Sequence, residues 1–123
     1  MHKKLLVVDD SVTIRQQVAA ALGPAGFEIV EAIDGEDALS KLRVTKDLAL
    51  VLCDVNMPRL NGLDLLDAAN KQGFGVPFVM LTTEGQPDLI ARAKSSGAKG
   101  WIVKPFKPEL LVAAVRKLTG SPG

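Results

Sequence analysis

The sequence predicts an α/β fold: a doubly wound, five-stranded parallel sheet covered by helices on both faces. Three observations carry that expectation. Short apolar, β-branched runs recur five times along the chain, and amphipathic stretches separate them. The runs are close to continuously apolar rather than alternating, as strands buried on both faces must be. Several runs also end on polar or charged residues, which places chemistry at one edge of the sheet.

Leu5 to Asp9 is the first strand, and Ile14, Val18 and Leu22 then recur at spacing four as the apolar face of a helix that Gly23-Pro24 ends. Phe27 to Ala32 is the second strand. Asp34-Gly35 turns the chain into a helix carrying Ala38, Leu39 and Leu42, and Leu48 to Cys53 is a third strand running into Asp54. After the loop VNMPRLNG, Leu63, Leu66 and Ala69 mark a third helix. Val76 to Leu81 is the fourth strand, closed by Thr82 and Thr83. Pro87 suits the first turn of a fourth helix, where a missing N–H costs nothing; that helix is expected to bury Leu89, Ile90 and Ala93 before Gly97 closes it. Gly100 to Val103 is a short fifth strand stopped by Lys104-Pro105, and Leu111, Ala114, Val115 and Leu118 mark the last helix. Five βα units of this length resemble the open flavodoxin-type sheet, and the strand order 2-1-3-4-5 is carried over from that resemblance.

The chain has 123 residues, 47% of them apolar, which suits one domain. We place that domain at residues 1–119 and a flexible tail at 120–123. Formal net charge is +1, with Lys and Arg scattered, so no nucleic-acid footprint is present. The single cysteine, Cys53, excludes an internal disulfide and a cysteine-rich metal site. With no leader pattern and no apolar run of about 18 residues, the expectation is a soluble, cytoplasmic protein that does not engage a membrane.

Asp9 and Asp10 end the first strand, Asp54 the third, Thr82 the fourth and Lys104 the fifth. In open α/β sheets ligands bind outside the carboxyl ends of the strands, where the winding reverses. Acids brought within about 4 Å of one another repel by roughly 4 kcal/mol per pair at an effective dielectric near 20, so a cation or a proton must relieve them. An oxygen-only donor set of few carboxylates suits Mg²⁺, which keeps waters in its shell.

DD at 9–10, D-x-N-M-P-x-x-x-G at 54–62, T-T-E-G at 82–85 and K-P-F at 104–106 together resemble the receiver domain of two-component response regulators, in order and over essentially the whole chain. Each motif alone is weak; the four in this arrangement are specific. The resemblance implies a phosphorylation-dependent signalling switch of the stand-alone chemotaxis type. Asp54 would be the phosphoacceptor for a histidine kinase or phosphotransfer protein, Lys104 would pair with the phosphate, and Thr82 would move toward it. It implies Mg²⁺ held directly by Asp10 and Asp54, through water by Asp9, and by the backbone carbonyl of Asn56. Asn56 and Glu84 would modulate the lifetime of the phosphate, Trp101 would be the switch aromatic, and Lys104-Pro105 would be a cis peptide. The target would be a protein, such as a motor-switch component, docking on the fourth helix, fifth strand and fifth helix.

Trp101 departs from the family pattern, which places Tyr or Phe there, so how far it swings inward is open. Taken singly, Asp9-Asp10 reads as an acidic helix start, Asn61-Gly62 as a turn and Cys53 as core packing; His2 receives no role. No output domain follows the last helix, so the expectation is a stand-alone switch and not an enzyme in the ordinary sense. A phosphorelay intermediate handing phosphate to a phosphotransfer histidine is the alternative. A phosphohydrolase with a nucleophilic Asp would carry a second acid where Asn56 stands, and a flavin module would carry a hydroxyl-rich loop where DDS stands.

Overall fold

The computed structural model describes residues 3–57, 60–83 and 87–120. Five strands alternate with five helices: β1 (Lys3–Val8), α1 (Val12–Leu22), β2 (Phe27–Ala32), α2 (Gly35–Val44), β3 (Leu48–Asp54), α3 (Gly62–Lys71), β4 (Phe78–Thr83), α4 (Pro87–Ser95), β5 (Gly100–Lys104) and α5 (Pro108–Thr119). All pairings are parallel, in the order β2-β1-β3-β4-β5, as expected.

The strands divide their side chains between two cores with period two. Leu6 and Val8 of β1, Val51 and Cys53 of β3, and Phe78 and Met80 of β4 face a layer built by Ala38 and Leu42 of α2, Leu63, Leu65, Leu66 and Ala69 of α3, and Ala93 of α4. Leu5, Val7, Leu50, Leu52, Val79 and Leu81 face the opposite layer, built by Val18 and Leu22 of α1 and Leu111 and Val115 of α5. Because both faces are covered, the buried stretches of β1, β3 and β4 are apolar at successive positions, which is why the sequence shows runs rather than alternation there.

Helices α1, α2 and α3 start where polar side chains cap them. Ser11 Oγ accepts from the Ile14 N–H at 3.3 Å, Asp34 Oδ1 from that of Asp37 at 2.8 Å, and Asn61 Oδ1 from that of Asp64 at 2.9 Å. Gly120 ends α5 in the left-handed region at φ 70°, a conformation glycine adopts without steric cost.

Several expected boundaries shift. β1 begins at Lys3 and ends at Val8, leaving Asp9 just beyond it; β3 and β5 each run one residue further, through Asp54 and Lys104; β4 begins at Phe78 rather than Val76. Pro77 precedes β4 and its carbonyl accepts from the Val51 N–H at 2.9 Å. The expected burial of α4 is corrected: only Ala93 is buried, while Leu89 and Ile90 are partly exposed, and β5, the strand that follows, has no fully buried residue either. Ala114 likewise is partly exposed, and Leu111 and Val115 carry the buried row of α5. Residues 121–123, where a flexible tail is expected, and Glu84 lie outside the described residues.

Candidate functional site

The carboxyl ends of β1, β3, β4 and β5 bring together Asp9, Asp10, Asp54, Thr82 and Lys104, residues scattered over most of the sequence. Asp9 is 1% exposed and held at every polar atom. Its N–H donates to the Ala32 carbonyl at 3.1 Å, its Oδ1 accepts from the Ser11 N–H at 2.9 Å, and its Oδ2 accepts from Lys104 Nζ at 3.1 Å. Its carbonyl accepts from Arg15 Nη1 at 2.6 Å.

Asp54 is 6% exposed. Its Oδ1 accepts from the Asn56 N–H at 3.2 Å and lies 3.3 Å from Lys104 Nζ. Among the described residues, its Oδ2 accepts no hydrogen bond. Burial, then the charge of Asp9, push the Asp54 carboxyl above its ordinary range, against the opposing pull of Lys104 and the Asn56 N–H. For Lys104, burial works against the ammonium, but the hydrogen bond to Asp9 and the charges of Asp54 and Asp9 outweigh it and hold the amine above its ordinary value. The ammonium is thus the internal cation that relieves part of the acid repulsion. The Lys104–Pro105 peptide is cis.

The backbone after Asp54 is shaped by Gly62. Its N–H donates to the Val55 carbonyl at 3.0 Å, and a Cβ there would stand 2.3 Å from the Asp54 carbonyl oxygen. Only glycine allows the loop to fold back this closely on the end of β3.

Carboxylate oxygens of Asp9, Asp10 and Asp54 lie within 4.8 Å of one another, with Asp10 exposed at the mouth. Three carboxylates against one ammonium leave two negative charges, the charge of one divalent ion. The donors are oxygens alone, so the residues present fit Mg²⁺. Thr82 adds a second observation that points to a ligand: it is fully buried, yet among the described residues its hydroxyl has no hydrogen-bond partner. Such a group costs about 1–3 kcal/mol until an acceptor reaches it.

Cys53 is buried, and its Sγ donates to the Asp54 carbonyl at 3.3 Å. Burial, then the charges of Asp54 and Asp9, push the thiol up, away from thiolate reactivity. Trp101 is part-buried and packs against the core on the α4 side of the sheet. Arg15 is the site residue that the sequence reading missed. It is 8% exposed, and its Nε donates to Glu31 Oε1 at 2.9 Å while Nη1 holds the Asp9 carbonyl. The spacing 15, 18, 22 along the buried row of α1 is the signal that marks it.

Comparison with known proteins agrees with this geometry. The model of the response regulator receiver domain matches residues 5–116. The chemotaxis protein CheY1 of Helicobacter pylori is 38% identical over 121 residues, 96% of this chain and 98% of that protein. The DNA-binding response regulator MtrA of Mycolicibacterium paratuberculosis is 37% identical over 116 residues, and the match covers 94% of this chain but 51% of MtrA. Among solved structures, the chemotaxis protein CheY4 of Vibrio cholerae superposes with a TM-score of 0.89 at 39% identity, covering 96% of this chain and 99% of that one. The matching family, the full-length alignments and the shared fold agree with the acids, hydroxyl and amine at the sheet edge: the chain belongs to the receiver-domain family of two-component response regulators.

Proposed function

We propose that this chain accepts a phosphoryl group from a phosphohistidine on Asp54 and signals by a change in its α4–β5–α5 surface. The observation that carries the reading is the pairing of a nearly buried Asp54, one oxygen fixed, with Lys104 beside it and, on the next strand, the hydroxyl of Thr82; among the described residues neither the second Asp54 oxygen nor that hydroxyl has a hydrogen-bond partner. In the transfer, the free oxygen of Asp54 forms the new O–P bond as the N–P bond of the donor imidazole breaks, and the imidazole keeps the electron pair and takes up a proton. Lys104, already shared between Asp9 and Asp54, is placed to follow the charge onto the phosphoryl oxygens. The Thr82 hydroxyl gains in one of those oxygens the acceptor that it lacks among the described residues. Asp9, Asp10, Asp54 and the carbonyl of Asn56 would hold Mg²⁺, which when bound supplies charge neutralisation at the transferring group. Asn56, and Glu84 where the family pattern places it, are assigned to tuning the lifetime of the phosphate.

Full-length coverage by chemotaxis proteins supports a chemotaxis-type switch whose target is a protein. The match to half of MtrA indicates that the same domain also serves other outputs, so the pathway is decided by experiment. No helix among the described residues is long and apolar enough to cross a membrane. The direct test is transfer from radiolabelled histidine kinases with Mg²⁺, in wild type and Asp54→Asn. The variant is expected to lose incorporation by at least about a thousandfold, the scale seen when a nucleophile is removed, and to keep a wild-type circular dichroism spectrum. Full incorporation in the variant would place the acceptor elsewhere, and rapid onward transfer to a phosphotransfer histidine would favour the relay.

A further inference from the structure

Helix α4 is fastened unlike its neighbour α3. It buries Ala93 alone, whereas α3 buries Gly62, Leu63, Leu65, Leu66 and Ala69. Leu89 packs partly buried against the same core, and exposed polar contacts are added to it. Arg92 Nη2 reaches Asp64 Oδ1 at 3.0 Å and Asp67 Oδ2 at 3.5 Å on α3. On the side toward β5, Lys94 Nζ stands over the ring of Trp101, 4.6 Å from its centroid. Indole is the best aromatic partner for a cation, so this pair depends on the tryptophan that sets the chain apart from the family pattern.

Trp101 also sits where an event at Thr82 can reach it. It pairs in register with Met80, and both belong to the core on the α3–α4 side, whereas Ile102 belongs to the other. Thr82, two residues after Met80, falls on the same face by the period-two alternation. The indole thus has the path from Thr82 on the sheet beneath it and an ammonium from α4 over its ring.

We propose that Lys94 and Trp101 form a clasp that holds the indole and α4 in their unphosphorylated arrangement and so sets the threshold of the switch. The threshold rests on the function proposed above; the clasp itself does not. Lys94 can be replaced without damage to the core, since it is exposed.

The test uses Lys94→Met, which keeps length and removes charge, and Lys94→Arg, which keeps a cation. Emission of Trp101, the only tryptophan, is followed during titration with beryllofluoride at saturating Mg²⁺, and its acrylamide quenching is measured without either. Phosphoryl incorporation from acetyl phosphate is measured in parallel. In Lys94→Met the beryllofluoride midpoint should fall about two- to fivefold, the equivalent of about 0.5–1 kcal/mol for an exposed cation–π pair, and the quenching constant should rise. Lys94→Arg should behave as wild type. Equal midpoints and equal quenching in wild type and Lys94→Met overturn the clasp; changed quenching with an equal midpoint overturns the threshold alone. A wild type that takes up no phosphoryl group and ignores beryllofluoride overturns the functional reading, and the quenching constant then decides the clasp by itself.

Discussion

The two halves of the sheet are built to different standards. β1 and β3 are buried through their carboxyl halves, and the acids at their ends are tied by backbone, arginine and lysine. β5 contains no fully buried residue, and the helix above it, α4, buries one. The contrast teaches that one small domain can pack the strands carrying its acids tightly while covering another edge loosely. The half that positions Asp9 and Asp54 is stiffened by close packing, while the half that carries Trp101 is held by contacts cheap enough to exchange, and segments of low local stability are the ones that move in switching.

The largest expected effect breaks the contrast directly. Leu63 of α3 is 1% exposed and Leu89 of α4 only partly buried. Leu63→Ala should cost about 3 kcal/mol, the ordinary price of a buried leucine, and Leu89→Ala about 1 kcal/mol, since much of its side chain already meets water. Urea unfolding of the two variants measures this; equal losses would show that α4 is packed as firmly as α3.

A second variant separates metal affinity from stability within the firm half. Asp10→Ala should weaken Mg²⁺ binding by about tenfold or more, as expected for loss of a direct ligand rather than a supporting contact. Stability in metal-free buffer should change by no more than about 0.5 kcal/mol, because Asp10 is an exposed site. Calorimetric titration giving wild-type affinity would remove Asp10 from the ligand set.

The smallest effect sharpens the electrostatics. The Asp54 carboxyl is raised in the folded chain by burial and by Asp9. A carboxyl so raised favours folding while it is protonated, and that contribution is lost as pH rises from the ordinary carboxylate value through the raised one. Without metal, Asp54→Asn should therefore be more stable than wild type at neutral pH, and the difference should shrink toward acid. Urea unfolding in EDTA across that window checks the sign; a wild type more stable than the variant at neutral pH would mean that the Lys104 pair outweighs burial.

What the sequence determined by itself was the order of the elements and the edge that carries the chemistry. Strands β1, β3, β4 and β5 are local apolar runs whose ends are marked by a change to polar residues, and the helices show apolar spacing, with a capping side chain at α1, α2 and α3, so Asp54, Thr82 and Lys104 were legible as strand ends. Whatever depends on remote partners was decided only by tertiary packing. Lys104 bonds Asp9 across 95 positions, and periodicity carries no information about which strand ends touch. Arg15 reads as a solvent residue by type, yet it is buried because the Asp9 carbonyl and Glu31 meet its guanidinium. Ile90 reads as core by type, yet it stays partly exposed on a helix that buries Ala93 alone. The Lys94 ammonium found the Trp101 ring because the helix-to-strand turn after α4 brings them together. Local patterns are set by the chain's own neighbours, whereas burial and pairing are set by segments that meet only when the whole sheet has formed.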